Sequence, residues 1–121
     1  MSSDSRHHIR VKMVNDVAVV GFADMDVVFQ PKHVQDLNDE LHRLVEDEKR
    51  NKVLLNLSGI QYLSSSMLVR LININKLIEH SQGQLKLCCL SPVMLDTFRV
   101  SKLEHLFETF DDEATALARF K

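Results

Sequence analysis

The chain alternates between short apolar runs and longer segments in which apolar residues recur every three or four positions. Residues 9–13 alternate between apolar and charged side chains, which is typical of a half-buried strand. Residues 17–22 and 52–57 are mostly apolar throughout, as in strands that are buried on both faces. Within residues 84–90, Leu85, Leu87 and Cys89 alternate with Lys86, which indicates another strand. The pattern predicts strands at residues 9–13, 17–22, 52–57, 84–90 and 107–110.

Four helices are predicted between and after these strands. The first begins at Pro31 and ends near residues 47–51, and the second begins at Ser66 and is broken by Gly83. Two shorter helices are predicted at residues 92–98 and 113–120. Apolar side chains in the two long helices lie three and four positions apart, so each helix has one apolar side. The residues predicted to be buried on these sides are Leu37, Leu41, Leu71 and Ile72.

The order of strands and helices predicts the fold class. Strands that alternate with helices form mainly parallel sheets with right-handed crossovers, and Asn15–Asp16 is a turn that makes the first two strands an antiparallel hairpin. We therefore predict an α/β fold: one mixed, mainly parallel sheet with an antiparallel edge hairpin and helices mainly on one face. Residues 1–8 are predicted to be a flexible N-terminus, residues 23–30 a loop, and residues 9–121 a single domain.

Composition narrows the classes of function. The 121 residues carry a net charge of −2, which does not suggest a nucleic-acid surface. No apolar run approaches the roughly 20 residues that span a bilayer, and the polar N-terminus does not resemble a signal peptide, so we expect a cytoplasmic protein without membrane insertion. Cys88 and Cys89 are predicted to lie on opposite faces of a strand as buried, reduced residues that do not bond each other.

The sequence gives little support for catalysis. The six histidines form no set with metal-ligand spacing, and the three glycines form no phosphate-binding loop. Ser65 lacks the flanking glycines of a nucleophile elbow and has no obvious base. We predict that the protein is not an enzyme and needs no cofactor or metal.

The strongest functional signal is a cluster of three serines, Ser64, Ser65 and Ser66, between the third strand and the second long helix. Serine is favoured before a helix because its oxygen accepts a bond from a free backbone N–H, and the same helix end attracts negative charge. Asp24 and Asp26 follow the second strand, so they are expected at the same edge of the sheet. The cluster therefore either caps the helix, carries a phosphate, or does both.

Residues 55–68 resemble the signature of STAS domains, and more narrowly of bacterial anti-sigma factor antagonists. The shared features are an apolar strand, a short loop, an aromatic–apolar pair, and a helix start that reads D-S-S-G or D-S-T-G in the family and Ser64–Ser65–Ser66–Met67 here. The resemblance continues in Ser91–Pro92, in residues 100–103, and in the acidic loop that contains Asp24 and Asp26. It covers the whole chain and implies that residues 9–121 form a STAS-like domain.

The resemblance implies a role in partner switching that controls transcription. The family's phosphorylated serine corresponds to Ser65, its kinase is the anti-sigma factor itself, and a metal-dependent phosphatase reverses the modification. Asp24, Asp26, Ser64, Ser65, Ser66 and Met67 match the surface that binds the partner. Ser64 replaces the motif aspartate, and Met67 replaces the motif glycine and adds bulk where a kinase would approach.

Two alternatives from other classes remain open. A STAS module that binds its partner constitutively, as a scaffold or as a subunit of a lipid-transport complex, would use Ser64–Ser66 only as a helix cap. A nucleotide-binding or small-anion-binding domain would use the same helix end as an anion site.

Overall fold

The elements of the computed structural model follow the order that the sequence predicts. The structure describes residues 9–22, 31–46, 51–60 and 65–120. Within these ranges the strands are β1 (Ile9–Val14), β2 (Val17–Phe22), β3 (Lys52–Asn56), β4 (Gln84–Cys88) and β5 (Glu108–Phe110). The helices are α1 (Pro31–Glu46), α2 (Ser65–His80), α3 (Pro92–Val100) and α4 (Glu113–Leu117), with a short 3-10 helix at Leu103–His105. The predicted flexible terminus at residues 1–8 and the predicted loop at residues 23–30 lie outside the described residues.

The five described strands form one sheet in chain order, β1-β2-β3-β4-β5. β1 and β2 pair antiparallel, with Val14 opposite Val17, and the other pairs are parallel. β2 and β3 are interior strands, as their apolar sequences predict. The mixed sheet with its antiparallel edge hairpin is therefore confirmed.

The two faces of the sheet are covered by different amounts of helix. One face, which we call the helical face, carries Ala18, Leu55 and Leu87 and packs against α1, α2 and α3 in one apolar cluster. The opposite face, which we call the second face, carries Val19 and Leu54 and packs against α4 in a smaller cluster. The expectation that helices lie mainly on one face is confirmed.

The predicted core residues are largely where the spacing placed them. Leu41 and Leu71 are buried, and Ile72 is half-buried at the margin of the core. The side chain of Leu37 lies outside the described residues. The buried side of α2 begins earlier than predicted, and its members are Met67, Leu71, Ile74, Asn75 and Ile78.

The structure corrects the prediction for the end of the fourth strand. β4 ends at Cys88, because Cys89 has a φ of 65° and leaves the extended conformation. The two cysteine side chains consequently do not diverge to opposite faces, because Cys89 packs against the same apolar cluster that contains Cys88. Burial first, and then the neighbouring Cys89 side chain, raises the pKa of Cys88 to about 12. Both cysteines are free, and only Cys88 is fully buried.

Lys86 of β4 is buried although it is charged. Its side chain does not point to solvent, because it lies on the second face beneath the C-terminal segment, and only 4% of the residue is exposed. Its ammonium contacts Glu108 at 2.6 Å and lies over the rings of Phe110 and Phe120. Phe120 reaches this position because α4 ends at Leu117 rather than at residue 120, so a turn returns the chain to the sheet.

Two helix starts agree with their sequence signals. The hydroxyl of Ser91 accepts the Met94 N–H at 3.1 Å, and Pro92 occupies the first turn of α3. The carboxylate of Asp112 accepts the Thr115 N–H at 2.7 Å at the start of α4. None of the described helices is long and apolar enough to cross a membrane.

Candidate partner-binding site

The site is built where β3 ends and the chain turns toward α2. The Leu57 N–H donates to the Cys88 carbonyl at 3.0 Å, which extends the strand pairing by one bond. The Ile60 N–H donates to the Leu57 carbonyl at 3.1 Å and closes a tight turn. Gly59 has a φ of 85° in this turn, a conformation that glycine adopts without steric cost. Because Leu57 and Ile60 are both buried, the turn is anchored to the core while Gly59 is exposed.

The side chain of Asn56 fixes the beginning of the same turn. Its Oδ1 accepts the Ser58 N–H at 2.9 Å, and its Nδ2 donates to Glu113 Oε1 at 2.9 Å. Glu113 Oε2 in turn contacts Lys12 Nζ at 3.0 Å. The hydrogen bond from Asn56 and then the one from Lys12 hold the pKa of Glu113 below its usual range. Sequence reasoning missed these residues, because the contacts of Glu113 with Asn56 and with Lys12 join positions that are far apart in the chain.

Ser65 and Ser66 are the first two residues of α2, and both are exposed. The helix begins one residue earlier than predicted. The first turn of α2 contains no acidic residue, so no carboxylate of that turn already neutralises the positive end of the helix dipole. An added anion on either serine would therefore lie at a favourable helix end.

The two serines have different neighbours one turn along the helix. Val69, four residues after Ser65, is 53% exposed and gives that side of α2 an apolar surface. Arg70, four residues after Ser66, donates to Gln35 Oε1 of α1 at 3.1 Å. The Ser65 side therefore presents a hydroxyl beside an apolar side chain, whereas the Ser66 side leads to a cation that is bonded to α1.

Met67 does not contribute its side chain to this surface. The residue is fully buried, and it begins the apolar side of α2 that continues through Leu71, Ile74 and Ile78. This corrects the expectation that methionine adds bulk where a kinase approaches, because the side chain at this position points into the core. The spacing of four, three and four residues between these positions is the signal that identifies it.

The other predicted contact residues cannot be placed in the same way. Asp24, Asp26 and Ser64 lie outside the described residues. β2 and β3 are parallel, with Val20 opposite Leu55, so the segments that follow them leave the same edge of the sheet. The association of Asp24 and Asp26 with the serines remains a prediction from that topology.

The described part of the chain offers no chemistry at the serines beyond their hydroxyl groups. No hydrogen bond there joins Ser65 to a histidine or a carboxylate. Among the described residues, no group of three or more histidine, cysteine, aspartate or glutamate side chains is arranged to hold a metal ion. What these residues form is an exposed hydroxyl at a helix end beside an apolar side chain, which suits recognition by another protein.

Comparison with known proteins identifies the class of this fold. The family model of the STAS domain matches residues 31–116. The chain belongs to the STAS domain family.

Individual relatives point to a narrower class of protein within this family. The chain is 30% identical over 94 residues to BtrV of Bordetella bronchiseptica, whose name proposes an anti-sigma factor antagonist, and the match covers 78% of this chain and 80% of that protein. Among solved structures, an anti-sigma-factor antagonist (STAS) domain protein of Planctomyces limnophilus superposes with a TM-score of 0.80 at 22% identity, over 91% of this chain and 95% of that one. The Bacillus cell fate determinant SpoIIAA in its phosphorylated form superposes with a TM-score of 0.67 at 17% identity, over 92% and 97% of the two chains.

Proposed function

We propose that this protein is an anti-sigma factor antagonist, a regulatory binding protein rather than an enzyme. Its partner would be an anti-sigma factor with serine kinase activity, and phosphorylation of Ser65 would release it. The observation that carries the proposal is the exposed Ser65 hydroxyl at the first residue of α2. Membership of the STAS family and the similarity to BtrV support it. The similarity to a phosphorylated SpoIIAA structure supports a switch of this type.

The proposed switch acts through charge and needs no refolding. A phosphoserine carries about −1.5 to −2 charges at neutral pH. The N-terminus of α2 accommodates that charge, so the fold is retained. A partner that packs on Val69 and the neighbouring hydroxyl must remove both from water, and burying an uncompensated phosphate in that contact is unfavourable. Phosphorylation therefore weakens the complex without unfolding the antagonist.

The remaining parts of the cycle follow from the same surface. Asp24, Asp26 and Ser64 would complete the contact with the partner around Ser65 and Ser66. ATP and magnesium would be supplied by the kinase, and a metal-dependent phosphatase would restore the hydroxyl. A cytoplasmic location is part of the proposal, since the kinase and the sigma factor act there.

Binding to the kinase encoded in the same genome tests the proposal. We expect Ser65→Asp to weaken the complex by at least about tenfold in calorimetry, while Ser65→Ala binds normally and accepts no phosphate in mass spectrometry. Ser66→Asp is the comparison variant: it adds the same charge to the same surface one residue away, on the side of Arg70, and we expect it to weaken binding less than Ser65→Asp does. Equal binding by Ser65→Asp and the wild type would show that charge at Ser65 is not the switch.

A constitutive binder is the alternative that this experiment separates. It would bind the kinase but show no phosphate on Ser65 after incubation with ATP. In that case Ser64→Asp, which restores the family aspartate, is the variant expected to gain phosphorylation. Met67→Gly is unsuitable for the purpose, because removing a fully buried side chain would open a cavity in the core.

A further inference from the structure

A chain of polar contacts crosses the sheet from its edge strand to the turn that leads toward Ser65. Lys12 of β1 contacts one carboxylate oxygen of Glu113 at 3.0 Å, and Asn56 of β3 donates to the other oxygen at 2.9 Å. The same Asn56 accepts the Ser58 N–H at 2.9 Å. Glu113 is the first residue of α4, so a helix on the second face is connected through one amide to the β3–α2 turn.

The amide side chain of Asn56 meets two requirements at once. The Ser58 N–H needs an acceptor, and the ionised Glu113 needs a donor. Asparagine supplies both from one planar group, whereas aspartate supplies only acceptors and would place two carboxylates against each other. The orientation of the amide is fixed by these partners, since its oxygen must face the N–H and its nitrogen must face the carboxylate.

We infer that Asn56, oriented by Glu113, is a positioning residue that sets how the β3–α2 turn presents Ser65 to a partner. The inference rests on the proposed function of Ser65. It adds that residues on the second face of the sheet, opposite to the face that packs against α2, influence how Ser65 is presented. Asn56 and Glu113 line a surface cleft of about 240 Å³ together with Arg10, Lys12 and Val19. The network is therefore reachable from solvent on the second face, while Ser65 begins the helix beyond the turn.

A reversed pair provides a direct test. In Asn56→Asp the donor to Glu113 is lost and the carboxylates repel. In the double variant Asn56→Asp with Glu113→Gln, the new amide donates to the new carboxylate, so the hydrogen bond returns with donor and acceptor exchanged. Both variants keep a side-chain oxygen that can accept the Ser58 N–H, so they differ only in the contact with residue 113. Asp16→Asn is the matched control, because it breaks an ion pair with Lys52 that does not touch the turn.

Two measurements distinguish the role of Asn56 in the turn from the proposed phosphorylation of Ser65. We expect the Ser58 amide to exchange about fivefold faster in Asn56→Ala, as for a lost hydrogen bond. In Asn56→Asp, repulsion from Glu113 should turn the carboxylate away from the Ser58 N–H and also speed the exchange, and the double variant should return near the wild-type rate. Phosphorylation of Ser65 should lose about the same factor in kcat/KM, mainly through KM, and recover in the double variant. Asp16→Asn should leave both unchanged.

Two results for the Ser58 amide would contradict the role of Asn56. An unchanged Ser58 exchange rate in Asn56→Ala would overturn it, and so would a double variant that exchanges as fast as Asn56→Asp. If wild-type Ser65 takes no phosphate, the proposed role of Ser65 as phosphoacceptor fails and the link to Ser65 falls with it. The amide exchange still decides whether Asn56 holds the turn.

Discussion

The two faces of the sheet are stabilised in different ways. The helical face is apolar: Leu55 and Leu87 pack against three helices in one continuous cluster. The second face has a small apolar cluster around Leu54, and charged residues surround it. Lys12, Lys52 and Lys86 each contact a carboxylate there, at distances of 2.6–3.0 Å.

The difference shows how one sheet can hold both a rigid core and an adjustable polar layer. Apolar burial on the helical face is non-directional and scales with area, so it fixes the sheet and the helices as one unit. Ion pairs and amide contacts on the second face depend on specific partners, on pH and on salt. The turn before Ser65 is held by both kinds of interaction: Leu57 anchors it by apolar burial, and the Asn56 amide anchors it by a hydrogen bond.

The largest loss of stability is expected for substitutions at two neighbouring residues of β3, one on each face of the sheet. Leu54 and Leu55 are both fully buried, but they face opposite sides of the sheet. We expect Leu55→Ala to lower the free energy of unfolding by about 4 kcal/mol and Leu54→Ala by about 2–3 kcal/mol. The smaller loss is expected because the second face has less packing around Leu54 and borders a cleft that lets it relax. Urea unfolding measures both, and an equal loss would show that the two faces are packed alike.

The Lys86–Glu108 pair gives a test of intermediate size. Lys86 is almost entirely buried, whereas the side chain of Glu108 is 67% exposed, so removing either partner should have unequal effects. Glu108→Gln leaves a buried ammonium without its carboxylate and should cost about 1–3 kcal/mol. Lys86→Met leaves only a carboxylate that water can reach and should cost less than about 1 kcal/mol.

A surface pair serves as the control for these two variants. Asp96→Asn breaks the exposed contact with Arg99, and we expect no measurable change in its midpoint of thermal unfolding. If Lys86→Met destabilises the protein more than Glu108→Gln, the buried ammonium makes a net stabilising contribution and the expectation is wrong.

The smallest expected effect concerns pH. The pKa of Glu113 is lowered in the folded protein by the hydrogen bond from Asn56 and by Lys12. The ionised carboxylate therefore stabilises the fold above its ordinary pKa of about 4.5, and this contribution is lost as the pH falls through the lower folded value. Because the side chain is 27% exposed, we expect Glu113→Gln to cost less than about 1 kcal/mol at pH 7.

Urea unfolding at several pH values checks this sign. The stability difference between the wild type and Glu113→Gln should shrink as the pH is lowered from 7 to 3. A difference that stays constant over that range would mean that the charge of Glu113 contributes nothing and that only the shape of the side chain matters.

Local periodicity predicted the helical face well. The strands, the long helices and the burial of Leu41 and Leu71 all follow from apolar spacing, because one large cluster requires every element to present an apolar side. Periodicity gives no sign that Lys86 is buried, because alternation with leucines is typical of a solvent-facing position. Its burial depends on Phe110 and Phe120, and no local pattern shows that the C-terminus returns over β4.

The site was predictable only where it depends on a helix start. Serines before an apolar periodic segment located Ser65 and Ser66, which the structure places at the beginning of α2. Met67 was misplaced because the family motif has glycine there, although its spacing to Leu71 identifies it as a core residue. Asn56 was missed because its two contacts combine a local backbone N–H with a carboxylate 57 residues away.

The chain-order arrangement of the sheet also bears on how the protein is made. Each strand pairs with the strand that precedes it, so a chain emerging from the ribosome adds every strand to a partner already present. Until β5 arrives, β4 is an open edge, and such edges invite pairing with other chains. Lys86 is then an inward-pointing charge on that edge, which opposes aggregation. When β5 pairs with β4, Lys86 forms an ion pair with Glu108 and is covered by the rings of Phe110 and Phe120.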